Sequence, residues 1–279
     1  LSKWIMIINK RKVISITGRY NTFQSPLKVI DESFEPYVLK FPCNLNDNSI
    51  IKEFICHFLL KSWKIPTPEI AILSVPTDLL ESFKPLEKRE RNIINNTICF
   101  GSKMLLNSID MNNFLTARDL VSQRRIRNSL DLLKIALFDI WVENEDRKPT
   151  NNNLLLNPVG KSFEIYAIDH AFTFSTLDFK DIKHEDVSFS YNESILLSSL
   201  AKSIIKKQKW DDVTCSKYEE MFYLCIKDAE TLFLNISDNL IANQLINSED
   251  KTLLHNFLFN SKRNRAVIGE FFYIINSIK

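Results

Sequence analysis

Glycine is scarce in this chain. Four residues in 279 (Gly18, Gly101, Gly160 and Gly269) leave no glycine-rich phosphate loop. A segment covering phosphates here must use side-chain hydroxyls and few backbone amides. The five cysteines (Cys43, Cys56, Cys99, Cys215, Cys225) show no paired spacing and no C-x-x-C. That speaks against a disulfide framework or a zinc site and for buried thiols in a reducing compartment. No apolar run approaches membrane-spanning length, and no signal peptide is evident. These features read as a cytoplasmic protein without a membrane role. The first residue is Leu rather than Met, as a missing N-terminal piece would leave it. A net charge of +2 gives no excess of one sign, and no aromatic interleaving of basic residues points to nucleic acid. Internal repeats and low-complexity linkers are also missing.

What is present suits a globular chain: 45% hydrophobic and 25% charged residues, with twenty Phe and four Trp for a core. The first third reads as β-rich, with runs at Val13–Thr17, Leu27–Ile30, Tyr37–Phe41 and Glu69–Leu73. Alternation puts Tyr37, Leu39 and Phe41 on one face and Val38 and Lys40 on the other. A helix over Ser49–Trp63 carries an apolar stripe at Ile51, Phe54, Ile55, Phe58 and Leu59. Residues Thr77–Asn96 read as a surface loop with a short helix, and Thr97–Leu106 as a strand leading into a connection. Helical patterns then dominate: Ser129–Glu143, Ser194–Lys207, Ser216–Ile236, Asn239–Ile246, Thr252–Asn260 and Asn264–Ile278. The layout is α+β, a β-rich part over 1–105 with one long helix followed by a mainly helical part over 106–279.

The chemistry concentrates in Asn144–Asn153 and Ala167–His170. The apolar runs between them, separated by Asn157-Pro158-Val159-Gly160, read as an antiparallel hairpin. A hairpin brings the start of its first strand beside the end of its second. Asn151 and Asp169 should therefore meet at one open end, with Asp146 in the loop leading in. These are hard oxygen ligands, suited to Mg²⁺ beside a nucleotide phosphate. Lys40 on a strand and Glu53 on the next helix can pair as ions and hold a phosphate-binding ammonium in place. Strand Lys, helix Glu, D-x-x-x-x-N and a post-strand Asp occur in the order of a protein kinase.

The sequence resembles the HipA-like kinases, especially the compact branch with N-x-D-R-x-x-x-N-x-N-L-L. The likeness lies in YVLKFP (Tyr37–Pro42), KEFICHFLLKSWKIPTPEIAIL (Lys52–Leu73), FGSKML (Phe100–Leu105), NEDRKPTNNNLLL (Asn144–Leu156), IDHAFTF (Ile168–Phe174) and FNSKRNRAVIGEFF (Phe259–Phe272). It implies a bilobal kinase-like fold transferring the γ-phosphoryl of ATP to a protein Ser or Thr hydroxyl, with Mg²⁺. By position, Lys40 would hold the α/β-phosphates and Glu53 would anchor it. Asp146 would orient or deprotonate the acceptor hydroxyl, Asn151 and Asp169 would hold metal, and Met104 would sit at the hinge touching adenine. The resemblance also implies a toxin-type or regulatory kinase with a protein substrate and an antitoxin or regulatory partner. Family members can phosphorylate a Ser in the phosphate loop, for which Ser25 is the candidate within Gly18–Pro26. Founding members carry D-x-H-x-K-N where this chain has Asp146-Arg147-Lys148-Pro149-Thr150-Asn151.

Each residue has a plainer reading alone: Asp146 and Asp169 as turn residues, Lys40 as a solvated strand lysine, Glu53 as a helix-surface acid. His170 divides between support of the site and packing; His57, His184 and His255 read as structural or exposed. Arg118, Arg124, Arg125 and Arg127, like Lys202, Lys206, Lys207 and Lys209, read as solvated helix faces, with substrate docking the minority reading. Two other functions compete with an active protein kinase. The sparse loop suits a nucleotide-binding pseudokinase or interaction module, and Asp146-Arg147 resembles the D-R-H-x-x-N loop of phosphoinositide kinases.

Overall fold

β-Branched and aromatic alternation in the first third builds five strands, seen in a computed structural model that describes residues 8–22, 24–45, 47–112, 124–174, 178–182 and 185–279. Leu1–Ile7, Phe23, Arg118 and His184 lie outside the described residues. The strands are β1 (Lys10–Arg19), β2 (Leu27–Asp31), β3 (Pro36–Lys40), β4 (Ile70–Ser74) and β5 (Cys99–Lys103). They close into a barrel in the order β1-β2-β3-β5-β4, all neighbours antiparallel except β1 and β4, which run parallel. Tyr37, Leu39 and Phe41 fill the interior with Val13, Leu27, Val29, Ala71 and Leu73. The period of two sends Val38 and Lys40 outward, to the cleft described below. Gly101 pairs with Leu39 and Ala71 on its two neighbours, and a Cβ there would meet Leu73 at 2.6 Å.

Helix α1 (Ser49–Ser62) is buried almost all round, more than its single stripe predicts. It leaves the barrel core and joins the larger one. Trp63, just past its end, stacks on Trp141 at 5.2 Å and packs edge-on against Phe138 at 5.3 Å. Residues 77–96 hold two helices, α2 (Thr77–Ser82) and α3 (Lys88–Asn96). In α3 a capping box, Glu87 with Glu90, closes the N-terminus.

The second part begins with β6 (Ile109–Asp110) and α4 (Asp131–Val142), then the hairpin β7 (Leu154–Val159) and β8 (Ser162–Ala167). Register runs from Leu154↔Ala167 to Val159↔Ser162, with β6 on the outer edge of β7. The turn lies at Gly160–Lys161, later than expected. Gly160 takes φ +62, and Pro158 is paired with Phe163 within the strand. Pro is tolerated there because β6 reaches only Leu155 and Leu156, leaving that side of β7 without a ladder.

Helices α5 (Ser199–Lys207), α6 (Asp212–Ala242), α7 (Ser248–Leu258) and α8 (Ser261–Ile278) complete the chain. Two expected helices, over 216–236 and 239–246, are replaced by the single 31-residue α6, which packs against α1. The polar stretch Asn235–Asn239 does not break it. Ser237 bonds back to the Leu234 carbonyl and Asn239 to that of Asn235. Among the described residues no helix is long and apolar enough to cross a membrane.

Candidate active site

The hairpin, β3 and α1 converge on one cleft of about 430 Å³. Val38, Ile70 and Phe100 form an apolar wall from the barrel; Leu155 and Ile168 face them from the hairpin. Ser102–Leu105 run along the connecting edge. Lys40, Glu53, Asp169 and His170 close the polar end.

Lys40 is brought there by the outward face of β3, and Glu53 by the first half of α1. The Lys40 ammonium lies 2.5 Å from Glu53 Oε1 and 2.9 Å from Asp169 Oδ1. Burial alone would lower its pKa, but the two carboxylates outweigh that and hold it above the ordinary lysine value. Burial raises Glu53 against the opposing Lys40 charge. Asp169 goes the other way: the Lys40 ammonium and the Arg147 guanidinium overcome burial and pull it below the usual carboxylate range. Its side chain keeps 32% exposure, so an ionised oxygen faces the open cleft. Asp169 sits in the left-handed region at φ 59, a conformation Asp tolerates better than most residues. That turns the chain sharply after β8.

Asp146 and Asn151 lie in one tight loop. The N–H of Lys148 donates to the Asn151 carbonyl (2.9 Å) and that of Asn151 to the Lys148 carbonyl (3.1 Å). The amide of Asn151 donates to Asp146 Oδ1 at 3.0 Å, and that of Asn153 to Oδ2 at 2.9 Å. The Asp146 carboxylate is thus held in one orientation. With its nitrogen so engaged, Asn151 presents its carbonyl oxygen as an acceptor.

Arg147 joins this loop to Asp169, a role sequence reasoning missed. It is fully buried. Its guanidinium pairs with Asp139 of α4 (2.9 Å) and donates to the Asn152 carbonyl (2.9 Å), the Asn153 carbonyl and the Ile168 carbonyl (3.1 Å). It also contacts His170 Nε2 at 2.8 Å. A guanidinium only donates, so Nε2 accepts and the ring proton sits on Nδ1. Burial, with the Arg147 and Lys40 charges, drives His170 well below its ordinary value and keeps it neutral. The Ile168 N–H donates to the Asn153 carbonyl at 3.1 Å. The loop and the post-strand Asp are therefore stapled side by side. Burial raises Asp139 to about 6, against Arg147 and Asn144. The missed signal was Asp139 itself: an acid inside the apolar run LFDIWV needs a buried partner.

Other expected residues divide. Met104 lines the cleft, but its N–H already donates to the Pro36 carbonyl at 2.9 Å. Thr22 and Pro26 of the 18–26 segment also line it. The Ser25 hydroxyl turns back instead to the Thr22 carbonyl at 2.7 Å, with φ 45. His57 is buried and lines the cleft, one turn after Glu53. Among the described residues no three His, Cys, Asp or Glu side chains form a preformed metal cage. Asp169 lines the cleft and offers a carboxylate oxygen of the kind a hard ion takes, whereas Asp146 and Asn151 are not among the lining residues and stand in the adjoining loop.

The HipA-like kinase family model matches residues 18–214. This covers most of the chain, which therefore belongs to that family. Among solved structures, the chain resembles the Helicobacter pylori proinflammatory kinase CtkA, with TM-score 0.55 and 11% identity, over 96% of this chain and 98% of that one. A Golgi casein kinase aligns with TM-score 0.49 and 11% identity, over 96% of this chain and 73% of the other. The fold is that of a kinase, strand-rich at the N-terminal end and helical beyond. Comparison with curated proteins finds no match.

Proposed function

We propose that this chain is a serine/threonine protein kinase that transfers the γ-phosphoryl of ATP, with Mg²⁺, to the hydroxyl of a protein acceptor. The observation that carries this reading is the Lys40 ammonium held between Glu53 and Asp169 at the polar end of an apolar slot. In the proposed complex adenine lies between Val38, Ile70 and Phe100 on one side and Leu155 and Ile168 on the other, with Met104 at the slot's edge. Lys40 stays anchored by Glu53 and exchanges its Asp169 contact for the α/β-phosphates. Asp169 and Asn151 would hold Mg²⁺, which neutralises charge on the phosphates. Asp146, fixed by Asn151 and Asn153, accepts the acceptor's hydroxyl proton as its oxygen bonds to the γ-phosphorus and ADP leaves. The lobes in this reading are 1–105 and 106–279. The setting we propose is a toxin-type or regulatory kinase in the cytoplasm, restrained by an antitoxin or other partner chain.

The test is incubation with γ-labelled ATP, Mg²⁺ and a cell extract, followed by acid hydrolysis of the labelled product. Label in phosphoserine or phosphothreonine is expected. Label confined to extracted phosphoinositides would replace the acceptor class. Stabilisation by ATP–Mg²⁺ with no transfer to any acceptor would make the chain a nucleotide-holding module.

A further inference from the structure

Two basic runs far apart in sequence meet on one groove. The segment 124–130 is tied to β8: the Arg127 N–H donates to the Phe163 carbonyl, and the Phe163 N–H to the Arg125 carbonyl, both at 2.9 Å. Helix α5 forms the opposite wall. Leu200, Ser203, Ile204 and Lys207 recur at helical spacing on its groove face. Arg124, Ser129 and Leu130 line the other side of a cavity of about 480 Å³. Leu130 is 59% exposed, large for a leucine in a concave site.

The charge is one-sided. Arg124, Arg125, Arg127, Lys202, Lys206 and Lys207 are all exposed, and among the described residues none of them forms an ion pair. Among the described residues, none that lines the groove is an acid. Residues 124–130 and 194–209 contain no Asp and no Glu. Some exposed cations elsewhere do have an acid partner, as Lys148 has Glu193, Lys209 has Asp211 and Lys262 has Glu185. A solvated face intersperses its signs; this groove does not.

We propose that this groove docks an acidic protein segment that seats one apolar side chain between Leu130, Leu200 and Ile204, with carboxylates against Arg124 and Lys207. The apolar floor selects a peptide over a simple polyanion, and the rim selects its sign. The groove is not the cleft. From Phe163, where its wall is bonded, to Asp169 the strand runs roughly 20 Å. A segment tethered there raises the local concentration of the rest of its chain at the active site. That this segment belongs to the phosphoryl acceptor rests on the kinase reading above; the binding does not.

The experiment uses the full chain and a fluorescein-labelled twelve-residue peptide of Asp and Glu around a central Leu-Phe pair, read by anisotropy. Saturable binding is expected. It should weaken about tenfold in Arg124→Glu/Lys207→Glu, weaken in Leu130→Asp, and fall with salt. An all-acidic peptide without Leu-Phe should bind about tenfold more weakly. Stabilisation by ATP–Mg²⁺ should be unchanged in these variants, since none lines the cleft, so failure here and failure of the kinase reading are separable. No binding of the peptide overturns the proposal. So does equal binding of the all-acidic peptide, of vesicles of phosphatidylcholine with 30% phosphatidylserine, or of single-stranded RNA.

Discussion

Lys40 Nζ stands 2.9 Å from Asp169 Oδ1, joining the third barrel strand to the residue that follows the hairpin. Lys40 is buried and Asp169 half-buried, with the buried Glu53 as the third member. Removing the cation leaves two carboxylates facing each other. Lys40→Met should therefore destabilise the fold by about 3–5 kcal/mol, and Lys40→Met/Glu53→Leu should recover part of that loss. Urea denaturation of both variants reads the difference. Phosphoryl transfer should be lost in each.

Arg147 bonds two backbone carbonyls of the loop, one before Asp169, the carboxylate of Asp139 and the ring of His170. A lysine cannot reproduce that planar fork. Arg147→Lys should lose about 3 kcal/mol or more, as expected when a buried pair is broken. Transfer should fall with it even under conditions where the variant remains folded. Circular dichroism against urea, with a transfer assay on the folded fraction, checks both.

Stability should depend on pH through two histidines whose folded-state pKa values are depressed. Burial lowers His57 to about 3, and His170 is lowered well below its ordinary value. As pH falls from 6.5 towards 3, the unfolded chain binds protons on these rings that the folded chain refuses, so stability falls. Asp139, raised to about 6, has the opposite sign: its contribution falls as pH rises from about 4 to 6. His57→Phe should flatten the acid-side loss, and Asp139→Asn should steepen the net rise across the same window. Urea midpoints from pH 4 to 8 measure both slopes.

Gly101 tests the barrel. The Cβ of an alanine would lie 2.6 Å from Leu73, too close for the packed interior. Gly101→Ala should destabilise by about 1–3 kcal/mol. Gly101→Ala/Leu73→Val should regain part of it, measured as a shift in urea midpoint.

The sequence made some of this plain and hid the rest for physical reasons. Lys40 was legible because strand alternation sorts Tyr37, Leu39 and Phe41 from Val38 and Lys40, and the barrel keeps that division. The meeting of the Asp146–Asn153 loop with Asp169 follows from hairpin geometry, and the Asn153–Ile168 hydrogen bond closes it. Arg147 was hidden because a buried arginine has no local signature; its partners lie on α4, the loop and the strand end. The sequence marks Ser25 as a phosphate-loop hydroxyl but carries no sign that this hydroxyl donates to the Thr22 carbonyl. That the two basic runs share a groove is not legible in the sequence, because only the tertiary fold puts Arg124 and Lys207 on the lining of one cavity.

In the kinase reading proposed above, Asp169, held ionised beside Lys40, supports phosphoryl transfer at this cleft. The direct measurement is incorporation of label from γ-labelled ATP with Mg²⁺ by the wild-type chain and by Asp169→Ala, with folding of both confirmed by circular dichroism. Robust incorporation by the wild type and a loss of about a thousandfold or more in Asp169→Ala is the expected result. Undiminished transfer by folded Asp169→Ala would contradict it.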